Sequence, residues 1–216
     1  MTLEHAEVRV ALINATLSLM EEGGLASVKA RAVAEQAGVS VGTVYNLFGN
    51  VDRLILAANL RIYDELGAVG ASRMAAIEAD LQKRIKAGKI ADTPRERLHA
   101  RLLGLAETYV DFVSANANRW SALLAFNRTR AVGESEDNLQ HLNALIDILG
   151  GVLKEAPRWT TAAERRLAGR ALWSAVHGIV VTSYFGDDRP ARQRTLHLLD
   201  LLLATIADGA FAVSPA

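Results

Sequence analysis

Cysteine is absent from this 216-residue chain, which excludes disulfides and thiolate metal sites and is what a cytoplasmic protein leads one to expect. Net charge is absent too: 24 Lys and Arg balance 24 Asp and Glu, so no global field draws the protein to nucleic acid. Long apolar runs are missing. The longest, Leu196 to Ala207, is broken by His197, Asp200 and Thr205 and is too short to span a bilayer. The first ten residues carry Glu4, Glu7 and Arg9 where a secretory signal would need a basic flank and an apolar block. No segment alternates with period two between strand-type turns, and no internal repeat or low-complexity tract occurs. The five histidines never fall four apart, so no helix-borne zinc pair is expected, and no phosphate-binding glycine loop is present. Glu107 and Asp111 share a helix face, but a solvated surface explains them more cheaply than acid and base chemistry. We therefore expect no catalytic residues, no metal and no cofactor.

What is present is helical periodicity almost throughout, in a chain that is 50% apolar and long enough to bury a sizeable core. The spacing predicts an all-α protein. A first helix is expected over 4–22, stopping at Gly23-Gly24, followed by short helices over 28–36 and 41–48. Asn50 caps a longer connector helix that continues into the charge-dotted stretch Gly67 to Lys89. Beyond the break at Gly88 and Asp92-Thr93-Pro94, helices are expected over 94–116, 118–131, 135–155, 161–185 and 190–208. These elements suggest a DNA-binding-sized unit over 1–50, a connector over 51–92 and a larger domain over 93–216.

The stretch Gln36 to Phe48, QAGVSVGTVYNLF, is the most informative. Ala34 and Gly38 are small where two short helices would cross, and Gly38 suits a positive φ. Val33, Ala37, Val39, Val44 and Leu47 supply a buried side. By elimination Val41, Gly42, Thr43, Tyr45 and Asn46 face outward, with Ser40 placed to cap the second helix. Taken by itself such a stretch is either a structural helical hairpin or a reader of DNA.

Its surroundings favour the second. Residues 8–63 resemble the DNA-binding domain of TetR-family transcriptional regulators. The resemblance is carried by Glu22-Gly23-Gly24-Leu25, Ser27-Val28, the run Val33 to Ser40, then Gly42-Thr43-Val44-Tyr45, Phe48 and Asp52-Arg53-Leu54. It implies that the helix after Ser40 enters the major groove, with Thr43 and Tyr45 on phosphates and Asn46 reaching a base edge. The residue chemistry agrees. Gly42 permits close approach, Val41 can touch a thymine methyl, and Asn can pair bidentately with adenine. Ser27, Lys29 and Arg31 are further candidate contacts, and Arg9 and Arg53 are outlying phosphate neutralisers.

The chain departs from many family members at Val41 and Val51, where a basic residue is common. Residues 1–61 hold five basic and six acidic groups, so this region carries one net negative charge.

In the larger part, aromatics gather at Tyr109, Phe112, Trp120, Phe126, Trp159, Trp173, Tyr184 and Phe185. They serve either as core or as the wall of an apolar ligand cavity with a few polar groups. The candidate cavity residues are Tyr109, Phe112, Asn116, Trp120, Leu123, Phe126, Asn127, Trp173 and His177. The Trp-His-Gly spacing of Trp173, His177 and Gly178 resembles one type of TetR C-terminal domain. His177 is either a satisfied core histidine or a hydrogen-bonding group in the cavity.

The apolar arcs of the last two helices are wider than one buried face needs. Leu172, Val176, Ile179, Val180, Leu196, Leu199, Leu202, Leu203 and Ile206 are therefore expected at a homodimer interface, the alternative being a central helix of a monomer. The implied function is a dimeric, ligand-responsive regulator, in most cases a repressor, of a near-palindromic DNA operator, released by a small apolar or aromatic effector. The competing possibility is a helical small-molecule carrier or enzyme whose N-terminal bundle no longer binds DNA.

Overall fold

The computed structural model describes residues 3–129, 136–183 and 189–212, with the side chains of 3, 4, 136–142 and 189 left aside. The expected Tyr184, Phe185, Gly133 and the turn at 186–188 lie outside the described residues. Every regular element among the described residues is helical: α1 (Leu3–Gly23), α2 (Ala30–Gln36), α3 (Val41–Phe48), α4 (Val51–Lys86), α5 (Pro94–Ala115), α6 (Ala117–Thr129), α7 (Glu136–Val152), α8 (Ala162–Ser183) and α9 (Arg189–Phe211). No described helix is long and apolar enough to cross a membrane.

Contacts divide the chain into two compact units. The first holds the residues up to Glu65 together with 115–141; the second holds 66–114 and the remainder. The structure thus draws its boundary through α4, and it assigns α6 to the N-terminal helices, which no local pattern had indicated.

In the first unit α1 is the common support. It packs on α2, α3, α6 and a 3-10 turn at Leu25–Ser27. Leu12, Met20, Val33, Val44, Leu54, Ile62 and Leu123 are completely enclosed. The Asn50 carboxamide caps α4 by accepting from the Arg53 amide at 2.8 Å. On α6, the Asn118 side-chain amide donates to the Glu21 carbonyl at 2.7 Å, and Arg119 donates to the Glu65 carboxylate at 2.7 Å. These bonds fasten α6 to the ends of α1 and to α4. Trp120 meets the Tyr63 ring edge-on at 6.2 Å between centroids.

The second unit is held by buried faces of α5 (Leu98, Leu102, Val110), α7 (Leu145, Ile146), α8 (Leu172, Val176, Val180) and α9 (Leu199, Leu203, Ala207). Two glycines allow close helix crossings. A Cβ on Gly104 would sit 2.9 Å from the Ile77 side chain, and one on Gly169 would sit 2.9 Å from the Ile146 carbonyl oxygen. The start of α8 is a capping box: the Glu164 amide donates to the Thr161 hydroxyl at 3.1 Å, and the Glu164 carboxylate accepts from the Thr160 and Thr161 amides at 2.9 Å. Arg101 bridges Glu78 at 3.0 Å and Glu155 at 2.9 Å, tying α4 to the turn after α7.

Among the described residues, the carboxamide of Asn59 on α4 is buried, at 1% exposed, with both of its polar atoms unsatisfied. A buried amide left unpaired costs about 1–3 kcal/mol, and an apolar group of like shape avoids that cost. Asn59→Leu is therefore expected to raise the unfolding free energy by about 1–2 kcal/mol in urea denaturation; a lower midpoint would show that the amide is satisfied in solution.

Candidate functional site

The exposed end of the first unit is built around the α2–α3 hairpin. Gly38 takes φ +68° between the two helices, and the Val39 amide returns to the Ala34 carbonyl at 2.9 Å. Ser40 caps α3 as its sequence position predicts: its hydroxyl oxygen accepts from the Thr43 amide at 3.2 Å and lies 2.9 Å from the Thr43 hydroxyl. Val33, Ala34, Val44 and Phe48 fill the interior. Val41 and Tyr45 are 38% and 48% exposed, unusual for large apolar and aromatic side chains, and Gly42 and Asn46 are exposed beside them. Thr43 is half-buried. The nearest atom to a Cβ on Gly42 would be the Ser40 hydroxyl oxygen at 3.5 Å, so the outer side of that turn is open.

The charged candidates fare differently. Lys29, at the cap position of α2, and Arg31 are exposed, and neither forms an ion pair among the described residues. Ser27 instead turns its hydroxyl inward to the Leu19 carbonyl and, at 2.7 Å, the Gly24 carbonyl. Its hydroxyl hydrogen is thereby committed to the corner after α1. Arg9 is also turned inward: it donates to the Leu47 carbonyl at 3.1 Å, and its guanidinium carbon lies 4.2 Å from the centre of the Phe48 ring. Arg61 pairs with Glu65 at 3.5 Å.

The second unit encloses an apolar cavity of about 70 Å³, lined by residues from four helices and α9. Leu66 and Gly70 come from α4, Leu105 and Tyr109 from α5, Leu145 and Leu149 from α7, Trp173 and Val176 from α8. Of the candidate cavity residues Tyr109 and Trp173 line it, and His177, which does not, lies against both. The tyrosine oxygen is 2.7 Å from His177 Nδ1, and the Trp173 ring stacks on the imidazole at 5.3 Å with 18° between planes. Burial holds the His177 pKa below its ordinary value. The neutral ring shares this hydrogen bond with the tyrosine hydroxyl, and its tautomer sets which of the two donates.

The other candidate cavity residues lie elsewhere. Phe112 is buried on α5 but does not line the cavity. Asn116, Trp120, Leu123, Phe126 and Asn127 belong to the first unit, where Trp120, Leu123 and Phe126 are core and Asn127 reaches the Tyr63 hydroxyl at 3.4 Å. The α4 and α7 lining residues were missed because attention to aromatic and polar groups overlooks plain leucines.

A second, polar cleft of about 330 Å³ runs between α4, α5 and the start of α9. Arg73, Asp80, Arg84, Glu107, Asp111 and Arg192 line it, with Arg192 on Asp111 and Arg84 3.9 Å from Asp80. Partial burial raises the Glu107 carboxyl above its ordinary value, against the pull of Arg192. No cluster of three potential metal ligands occurs among the described residues.

The expected interface on α8 and α9 needs correction. Leu172, Val176, Val180, Leu199 and Leu203 are at most 8% exposed and fill the subunit's own core, so they are not available to a partner. Ile179, Leu196, Leu202 and Ile206 are half-buried. The apolar side chains that do reach solvent are Leu167 (71% exposed), Leu198 (43%) and Leu201 (63%), with Ala171 and Gly178 also exposed. Periodicity locates an apolar arc, but not which sector of it faces inward.

Two short helices joined by a tight turn, the second capped by Ser40 and offering Val41, Gly42, Tyr45 and Asn46 to solvent, have the geometry of a helix-turn-helix. Comparison with known proteins narrows this. Residues 12–58 match the family described as "Bacterial regulatory proteins, tetR family", and residues 102–206 match "Tetracyclin repressor-like, C-terminal domain". The HTH-type transcriptional regulator BetI of Burkholderia ambifaria is 28% identical over 204 residues, covering 91% of this chain and 94% of its own. The HTH-type transcriptional repressor KstR of Rhodococcus jostii is 39% identical over 64 residues, 30% of each chain. Among solved structures, a TetR-family regulator from Mesorhizobium loti superposes with TM-score 0.62 at 13% identity, covering 98% of this chain and 100% of its own. The multidrug binding protein EbrR, complexed with imidazole, superposes with TM-score 0.56 at 16% identity, covering 96% and 97%. This chain belongs to the TetR family of DNA-binding transcriptional regulators, which are not enzymes.

The buried histidine gives a pH signature. A depressed pKa in the folded state means that the unfolded chain binds the proton more tightly, so stability is full above the ordinary value of 6.5 and falls as pH drops towards the folded pKa. Denaturation at pH 7.5, 6.5 and 5.5 should show the wild type losing stability below 6.5, and His177→Gln losing less over the same interval. Parallel curves for the two proteins would contradict the burial of a neutral ring.

Proposed function

We propose that the protein is a repressor that binds a near-palindromic operator as a homodimer, reads it with α3, and is released when a small apolar ligand enters the second unit. The observation that carries the reading is the set of outward groups on α3. Val41, Gly42, Tyr45 and Asn46 are solvent-facing on a helix whose Val44 and Phe48 are locked inside. Such a surface is free of the subunit's own packing and so is open to a partner. Thr43 and Tyr45 are suited to phosphate oxygens, and Asn46 to a base edge. The transcriptional repressor KstR of Rhodococcus jostii is 39% identical to this chain over 64 residues.

The ligand reading rests on the cavity. Apart from Thr108, Tyr109 and Trp173 its lining side chains are aliphatic, the composition of a site for an apolar or aromatic molecule. EbrR, a structural neighbour, is a multidrug binding protein crystallised with imidazole. At about 70 Å³ the cavity is well below the roughly 300–1,000 Å³ of ordinary ligand pockets, so a drug-sized ligand would have to widen it by displacing side chains such as Trp173 or Leu66. Leu66 and Gly70 are on α4, and the same helix places Leu54, Ala58 and Ile62 in the core of the first unit. Ligand binding thus favours states in which α4 has moved. The two reading helices of a dimer must match major grooves roughly 34–36 Å apart, so a shift of a few ångströms weakens binding.

For the dimer, the free apolar sector of α8 and α9 is the natural contact: Leu167, Ala171, Leu198 and Leu201. Leu201→Glu is expected to leave the fold intact and to convert the particle to one chain in gel filtration at micromolar concentration. An unchanged dimer would move the interface elsewhere.

Mobility shift against duplexes selected from a random library tests the reading of DNA. Tyr45→Ala should weaken binding to all sequences, and Asn46→Ala should in addition flatten preference at one base position by about tenfold. Taking Lys29, Arg31 and Arg53 of each subunit as the phosphate contacts, six per dimer give a slope near minus five in log affinity against log salt. A slope steeper than about minus eight, or equal effects of both substitutions on every sequence, would overturn this assignment.

A further inference from the structure

We infer that Arg9, on α1, is a positioning residue for base recognition: it sets the pose of α3 from behind and does not neutralise a phosphate. The inference rests on α3 being the DNA-reading helix.

An eight-residue helix has little stability of its own. Its last four carbonyls lack intrahelical donors unless something supplies them, and its negative dipole end is eased by a nearby cation. In α3 the Gly49 amide takes the Tyr45 carbonyl at 2.8 Å, and the last turn contains no basic residue. Arg9 fills both needs from a neighbouring helix. One guanidinium N–H donates to the Leu47 carbonyl at 3.1 Å, and the guanidinium carbon lies 4.2 Å from the centre of the Phe48 ring. A charged donor to a backbone carbonyl is among the stronger hydrogen bonds, and the planar cation on an aromatic face adds a preferred orientation.

These contacts act on the two residues that directly follow Asn46 in the chain. Val44 and Phe48 fix how deeply α3 sits, while Ser40 fixes its first turn through Thr43. Arg9 fixes the last turn. Without it α3 can pivot about its buried side chains, and the exposed Tyr45 and Asn46 lose their common aim. Lysine cannot substitute fully, since an ammonium has neither the planar fork nor the same stacking surface.

Three proteins decide the matter: Arg9→Lys, Arg9→Met and, as a phosphate-contact control, Lys29→Ala. Each is titrated at several salt concentrations with a duplex selected by the wild type from a random library and with single-base-pair variants of it. Positioning predicts that Arg9→Lys and Arg9→Met both lose about tenfold in preference for the selected duplex over its variants, with an unchanged salt slope, whereas Lys29→Ala keeps the preference and loses about two units of slope per dimer.

If Arg9 bound a phosphate, Arg9→Lys would resemble the wild type and Arg9→Met would resemble Lys29→Ala, and the inference would be overturned. If Arg9 only stabilised the fold, both variants would melt lower yet, at a temperature where they are folded, discriminate as the wild type does; that result also overturns it. Should the wild type select no sequence at all, or should Asn46→Ala leave its preference intact, the assignment of α3 as reader would fall and this inference with it.

Discussion

A helix of eight residues cannot hold its own shape, and everything in the first unit follows from supplying what α3 lacks. Water would melt it, because forming the first turn costs more entropy than so few hydrogen bonds return. The protein meets this need with three anchors: the Ser40 cap, the burial of Val44 and Phe48, and the Arg9 bond to Leu47. All three leave the outer face unconstrained by packing. That separation lets the outward residues vary in chemistry without disturbing the fold, since none of them contributes to the core.

α1 bears the inward load, and it is not supported by its immediate neighbours alone. Asn118 bonds the carbonyl of Glu21, and Arg119 reaches Glu65, so α6 braces both the end of α1 and the adjoining turn of α4. A helix nearly a hundred residues further along the chain thereby becomes part of the platform for α3. Displacement of α6 or α4 would be felt at the hairpin through these bonds and through the Tyr63–Trp120 ring contact. Such discrete contacts break or hold; they do not stretch far, which suits a two-state response.

Much of this was legible in the sequence, and the gaps have definite causes. The α2–α3 hairpin could be read because its signals are local: Gly38 for a positive φ, Ser40 three residues before the Thr43 amide, and apolar residues at helical spacing. Tyr109, Trp173 and His177 could be associated because Trp173 and His177 share a helix face, although only the fold brings Tyr109 to them. The place of α6 was not legible, because periodicity tells which face of a helix is buried but never against what. For the same reason Leu199 and Leu203 looked like interface residues until the fold enclosed them, and Leu198 and Leu201 emerged on the outside. Arg9 and Ser27 have internal partners that the sequence did not disclose. A cation or a hydroxyl near a DNA-reading helix suggests a phosphate contact, yet each is committed to a backbone carbonyl within the protein.

The scarcity of free cations then takes on a different meaning. Non-specific affinity for DNA is almost wholly electrostatic, whereas specific affinity adds base contacts and shape complementarity that require a well-aimed helix. A unit whose first 61 residues carry five basic against six acidic groups, and whose Arg9 is bonded to the Leu47 carbonyl, offers little of the first term. What it retains would depend on geometry: the pose of α3 and, in the proposed dimer, the spacing of two such helices. A regulator of this kind would be held weakly by the many wrong sites of a genome, and small changes in helix spacing would remove most of what holds it at the right one.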